Sequence, residues 1–218
     1  MREKVWGWIK SLGSTLAFVW VFTHGVAQAT VVPTESMKPA ILVGDHFFLD
    51  KVAFPANYPH ALQKYLPVRT IHRGDIVALW SPENPDIRLV KRAIGLPGET
   101  IEMRERVVYI NGRKLDEPYV VHTDDRELGR RDDFAPVVIP ADRFFMMGDN
   151  RDNSNDSRSW GLAPRENLIG KPLFVYWSYE DEPYSTEMTA AQWVQHSASV
   201  AVHFFTRTRW LRTGTRLK

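Results

Sequence analysis

The sequence predicts a mainly β protein tethered by a single N-terminal membrane-spanning helix. Three observations predict it. A charge-free run of 22 residues, Ser11 to Val32, follows a basic N-terminus. After Pro33 come short segments rich in β-branched and aromatic residues, each bounded by Pro, Gly, Asn or Asp. The composition, 44% apolar and 25% charged over 218 residues, is that of a folded chain with room for a sizeable core, which excludes wholesale disorder and collagen-like architecture.

The first element is the anchor. A helix of 22 residues rises about 33 Å, against a hydrocarbon core of about 30 Å. Arg2, Lys4 and Lys10 precede the run and Trp6 and Trp8 sit at its edge, so the positive-inside bias keeps the N-terminus cytoplasmic and turns the rest of the chain outward. Two alternatives stay open. Ser14, Thr15, Thr23, His24 and Gln28 interrupt the apolar run, and Ala27-Gln28-Ala29 resembles the small-residue cleavage site of a removed signal peptide. A buried core helix is the other alternative, although the uncharged length exceeds that of most globular helices.

Strands follow at residues 41–52, 75–80, 87–94, 100–103, 107–110, 136–139, 144–147 and 173–179. Asn111-Gly112 directly after Val107-Val108-Tyr109-Ile110 suits the positive φ values of a type I′ turn, so a hairpin is expected there. Residues 55–70 and 122–135 read as polar loops, the second a solvated stretch dense in charges of both signs. At the C-terminus, residues 188–206 lack charge, then Arg207, Arg209, Arg212, Arg216 and Lys218 follow around Trp210. That pattern suits either an interfacial amphipathic helix with a basic end or an ordinary surface helix. The organisation is therefore 1–32 as cytoplasmic N-terminus and anchor, 33–187 as an outward-facing β domain, and 188–218 as a basic tail.

Composition also narrows function. Lys plus Arg number 28 against 26 Asp plus Glu, a net charge of +2 that makes no case for nucleic acid. With no cysteine there is no thiolate metal site, disulfide framework or cysteine nucleophile. The seven histidines show no metal-ligand spacing, and no nucleotide-binding glycine loop, zinc-binding His-Glu-x-x-His or Gly-x-Ser-x-Gly elbow is present. No metal and no cofactor are implied. Asp152, Ser154 and Asp156 alternate like calcium ligands, but Ser157 stands where such a loop needs Gly and Ala163 where it needs Glu.

A different pair carries chemistry. Alternation along residues 87–94 puts Ile87, Leu89, Lys91 and Ala93 on one face. A lysine on an apolar face usually snorkels to solvent. If it is desolvated instead, its pKa falls and the neutral amine becomes a general base. A base needs a nucleophile, and Thr34 and Ser36 offer hydroxyls directly beyond the charge-free run.

Four segments settle the pattern: Pro33-Thr34-Glu35-Ser36-Met37-Lys38-Pro39, Arg73-Gly74-Asp75-Ile76-Val77, Val90-Lys91-Arg92-Ala93-Ile94-Gly95-Leu96-Pro97-Gly98-Glu99, and Gly148-Asp149-Asn150-Arg151-Asp152-Asn153-Ser154-Asn155-Asp156-Ser157-Arg158. In this order, behind an N-terminal span, they resemble the bacterial type I signal peptidases, membrane-anchored Ser/Lys proteases that cut signal peptides from exported preproteins. One departure is Ala40, where the family usually has Thr.

The resemblance implies a catalytic core of antiparallel β-sheets with a small β insertion, here roughly residues 103–142. It implies Ser36 as nucleophile and Lys91 as general base, with Thr34 and the Ser36 amide as oxyanion hole. Ser154 would orient the lysine amine, and Asp156 with Arg158 would form a supporting ion pair. Val32, Ile41 and Val90 match positions lining shallow pockets for small residues, so small-x-small sites such as Ala-x-Ala are the expected substrates. The implied partners are preprotein signal peptides and the lipid bilayer, and the implied location is the cell membrane, single-pass, with the catalytic domain on the extracytoplasmic side. Rival readings are a related Ser/Lys maturation protease with a dedicated substrate, or a catalytically idle, membrane-tethered β module.

Overall fold

The computed structural model describes residues 2–21, 26–52, 54, 65, 70–125, 129–181 and 189–217. Among the described residues, eleven strands are arranged in two antiparallel sheets. The larger sheet has the order β1-β2-β11-β3-β4-β9-β10, formed by Ala27–Val31, Asp45–Asp50, Leu168–Ser178, Ile76–Trp80, Arg88–Gly95, Arg143–Met147 and Ala163–Pro164. The smaller sheet, β7-β6-β5-β8, is formed by Arg113–Lys114, Val107–Ile110, Thr100–Arg104 and Phe134–Val138; this insertion lies between β4 and β9 and begins at Thr100, ahead of the expected residue 103. The mainly antiparallel β architecture therefore stands. The loop read at 55–70 lies almost wholly outside the described residues.

The anchor differs from the sequence reading. A helix, α1, runs from Arg2 to Val21, and Ala27 to Val31 then pair with β2, Ala27 opposite Asp50 and Val31 opposite His46. The charge-free run is thus divided between two structures. Its C-terminal part alternates small and polar residues and ends in the β-branched Thr30 and Val31, which suits an edge strand. Pairing with β2 satisfies backbone groups that a helix would have satisfied internally. Among the described residues no helix is long and apolar enough to cross a membrane. The sheet begins at Ala27, earlier than the boundary expected at residue 32, and Ala27-Gln28-Ala29 lies inside a paired strand.

β11 joins the two halves of the larger sheet. Its first residues pair with β3 and the remainder with β2, with register shifts at both junctions. Glycine is required at the crossover, because a Cβ on Gly170 would stand 2.3 Å from the Asp50 carbonyl oxygen. One core cluster, built on Val77, Leu79, Ala93, Phe144 and Met146, includes the partly buried Leu89. A second, built on Val32, Met37, Ile41, Phe47 and Ile76, carries Ala40, Trp80 and Val90 at its margin. The third, with Ile94, Ile101, Val108, Phe145 and Met147, joins the insertion to the main sheet.

The Asn111-Gly112 turn forms as expected between β6 and β7, with φ of 50° and 75°. Residues 122–135 depart from the expected solvated loop. Asp132 is buried against Arg131 and Arg106 within the insertion, and Asp152 accepts the Thr123 and Asp124 amides, so the second of these carboxylates fastens residues 123–124 to the segment that follows β9.

Candidate active site

Ser36 lies in the turn that follows β1, and Lys91 in the middle of β4, four strands away in sheet order. The second core cluster brings the two regions together, since it contains Val32, Met37 and Ile41 from the Ser36 loop and Val90 from β4. Lys91 Nζ stands 2.7 Å from Ser36 Oγ. Both residues are buried, Lys91 to 3% exposure. The desolvated alternative for this lysine is therefore the one the fold adopts. Burial lowers its pKa from 10.5 to about 8, Asp156 and Asp149 pulling it up and Arg158 pushing it down.

Thr34 is exposed, its Oγ1 3.4 Å from Ser36 Oγ. On the other side, the Asn150 N–H donates to the Ser36 carbonyl at 3.1 Å. Asp156 accepts from the Gly148 N–H at 3.0 Å and from the Arg158 guanidinium at 2.9 and 2.8 Å. Burial alone would raise the Asp156 carboxyl, but the Arg158 hydrogen bonds and charge, with the Gly148 amide, hold it below the usual carboxylate range. Ser154 Oγ is buried over Gly148 and makes no hydrogen bond to Lys91; it is close enough to Asp156 to help hold that carboxyl down. Of the three pocket positions, Val32 and Ile41 are buried and Val90 is half-buried, all in one apolar cluster.

Sequence reading gave no task to Arg92 and Asp149. Arg92 donates to both Asp149 carboxylate oxygens, at 2.7 and 2.6 Å, and to the Gly74 carbonyl at 2.6 Å, and its guanidinium lies 4.0 Å from the Tyr119 ring centre. This pair ties the strand of Lys91 to the segment that supports Ser36. Alternation alone puts Arg92 with Val90 on the other face of β4, and only the docked insertion shows that face to be closed.

An amine with a lowered pKa, held against a hydroxyl and lacking a histidine between them, is suited to acyl transfer by a serine nucleophile. The family model described as "Signal peptidase, peptidase S26" matches residues 5–177. The chain belongs to this family. A signal peptidase I of Leptolyngbya laminosa is 35% identical over 176 residues, covering 78% of either chain. One of Bacillus amyloliquefaciens is 35% identical over 181 residues, 81% of this chain and 87% of its own. One of Pseudomonas aeruginosa is 32% identical over 209 residues, 81% of this chain and 74% of its own. A crystal structure of a signal peptidase I from Enterococcus faecalis, 34% identical, superposes with a TM-score of 0.43 over 48% of this chain and 98% of the other. As a member of this family, the protein is a serine endopeptidase that acts on preprotein signal peptides.

Proposed function

We propose that this signal peptidase works by a Ser36/Lys91 dyad and cuts after small-x-small sequences. The 2.7 Å separation of Lys91 Nζ and Ser36 Oγ carries the reading. Neutral Lys91 takes the Ser36 proton as Oγ attacks the scissile carbonyl, then returns it to the departing amine as the C–N bond breaks. Thr34 Oγ1 and the Ser36 amide donate to the developing oxyanion. Lys91 next activates a water molecule, which adds to the acyl carbon and restores Ser36 as the cleaved signal peptide leaves. Ser154, which makes no hydrogen bond to Lys91, acts on the amine through Asp156, whose carboxyl it helps hold below the usual range. The apolar cluster of Val32, Ile41 and Val90 favours Ala, Gly or Ser, since a bulky side chain overpacks such a wall at about 1 to 3 kcal/mol.

The test is cleavage of a model preprotein by the purified protein in detergent, with a matched pair of Ala-x-Ala and Leu-x-Leu sites. Cutting confined to Ala-x-Ala, and abolished in Ser36→Ala, is the expected result. Equal cutting of both sites ends the specificity reading, and turnover surviving in Ser36→Ala ends the dyad.

The same reading has the enzyme anchored once in the cell membrane with its catalytic domain on the extracytoplasmic side. Support comes from the charge-free second half of α1, Ser11 to Val21, the basic residues before it, and the exposed Trp6, Trp8, Leu12, Leu16 and Phe18 of the same helix. Protease added to spheroplasts should digest the β domain while the membrane is intact. A domain protected until lysis would overturn the orientation, and release of the full chain by alkaline carbonate would overturn the anchor.

A further inference from the structure

Residues 208–217 return along the free edge of β11. The Arg209 amide donates to Ser178 O at 2.8 Å, Gly214 to Val175 O at 2.7 Å, Val175 to Thr215 O at 2.9 Å and Leu217 to Leu173 O at 3.1 Å. Two basic residues that the sequence offers as a free tail are thereby turned onto the back of the Ser36 loop. Arg212 pairs bidentately with Asp45, whose carboxylate is fully buried, and its Nη2 also donates to the Ala40 carbonyl at 3.1 Å. Arg209 Nη1 donates to the Val43 carbonyl and to Ser178 Oγ, both at 3.0 Å. Asp45 in turn accepts the Leu42 N–H at 2.8 Å.

The loop is thus fixed on three sides. Its base is closed by Gly44 N–H to Val32 O at 3.1 Å and Val32 N–H to Asp45 O at 3.3 Å. Its inner side meets Asn150, and its outer rim is gripped by the arginines of the C-terminal arm. Leu217, at the end of the arm, packs on the cluster that contains Val32, Met37 and Ile41. Without Arg212 the buried Asp45 carboxylate keeps the Leu42 N–H and Arg209 at 4.0 Å but loses its bidentate pairing, and a buried charge left under-compensated loosens residues 40–45.

Building on the reading of Ser36 as nucleophile, we propose that Arg212 is a positioning residue: through Asp45 and the Ala40 carbonyl it fixes the loop that aims Ser36, making the C-terminal arm a working part of the active site. Arg212 touches neither substrate nor the reacting atoms. A nucleophile misplaced by about 1 Å loses about 100-fold in rate, so a brace at this distance has leverage on turnover.

Preprotein cleavage by the full chain in detergent tests this, with Arg212→Ala, Arg212→Lys and Ser36→Ala assayed beside the unsubstituted enzyme at a temperature where circular dichroism shows each folded. Arg212→Ala should lose about 10- to 100-fold in kcat with KM nearly unchanged, and its pH midpoint should stay where it was because Lys91 remains buried. Arg212→Lys should recover part of the loss, since an ammonium lacks the fork that serves Asp45 and Ala40 together. It also decides the matter if Arg212→Ala does not fold, because full kcat in Arg212→Lys overturns the proposal. So does a folded Arg212→Ala within about twofold of full kcat, or one whose pH midpoint moves. With Ser36→Ala inactive, those results remove the brace alone; turnover in Ser36→Ala removes the nucleophile reading and the brace with it.

Discussion

The Ser36 carbonyl oxygen would stand 2.5 Å from a Cβ placed on Gly148. The same Cβ would meet Ser154 Oγ at 2.3 Å, so backbone and side chain press on one point. Gly148 is therefore the surface on which the Ser36 segment rests. Gly148→Ala must displace that segment, at a cost of about 1 to 3 kcal/mol in stability, and the displacement falls on the Lys91–Ser36 distance. We expect thermal unfolding several degrees lower and a loss of turnover larger than the lost folded fraction explains. Unchanged turnover in a folded Gly148→Ala protein would separate the two segments.

Lys91 makes the pH dependence specific. With neutral Lys91 as the proposed base, activity should rise through an apparent pKa of about 8 and level off above it. Lys91→Arg should be as inactive as Lys91→Ala, since a guanidinium does not release its proton in a protein. The stability consequence has the opposite appearance. Below pH 8 the lysine is charged both folded and unfolded, and burying it costs about 3 kcal/mol, the shift from 10.5 to about 8 in energy. Between about 8 and 10.5 the unfolded chain holds the extra proton, so stability rises with pH and the cost fades. Lys91→Met should therefore be more stable than the natural chain near neutrality, with a gain that shrinks toward pH 10.5 in urea titrations. A gain that stays constant with pH would mean the lysine is not desolvated.

Thr34 separates shape from hydrogen bonding. Thr34→Val keeps the β-branch and removes the hydroxyl that sits 3.4 Å from Ser36 Oγ. Loss of one oxyanion donor lowers turnover by about 100- to 1,000-fold. The loss should appear in kcat with KM little altered, and near-natural kcat would take Thr34 out of the oxyanion hole.

What was legible in the sequence was local chemistry. Asn111-Gly112 demands positive φ whatever surrounds it, and the alternation through Leu89, Lys91 and Ala93 marks a lysine on an apolar face. Long-range closure was not legible. β1 reads as the end of a charge-free run because hydropathy does not distinguish Ala27–Val31 in a membrane from the same residues paired to β2. Arg92 looks exposed until the insertion lays Tyr119 over it, and Arg209 and Arg212 look like a free basic tail until β11 offers them an edge. In each case the partner lies tens of residues away, beyond the range of periodicity.

The buried pair Asp156 and Arg158 provides two opposed tests of the electrostatics around Lys91. Asp156 raises the lysine pKa and Arg158 lowers it. Asp156→Asn removes the negative charge and leaves Arg158 facing the amine, so the midpoint of the pH–rate profile should fall below about 8. Arg158→Met leaves Asp156 unopposed, and the midpoint should rise above about 8. Each change strips a buried charge of its partner and costs about 3 to 5 kcal/mol in stability, so both profiles need a temperature where circular dichroism shows the variant folded. The Asp156 carboxyl sits below its ordinary range, so the stability it contributes is present above the unfolded carboxylate pKa and is lost as pH falls through the folded one. A loss of stability in acid should accordingly diminish in Asp156→Asn. Stability loss alone would lower turnover in both variants at every pH without moving either midpoint. Midpoints that move in opposite directions are the signature of a lysine titrating in the field of this pair, and midpoints that stay together would leave Asp156 and Arg158 a purely structural role.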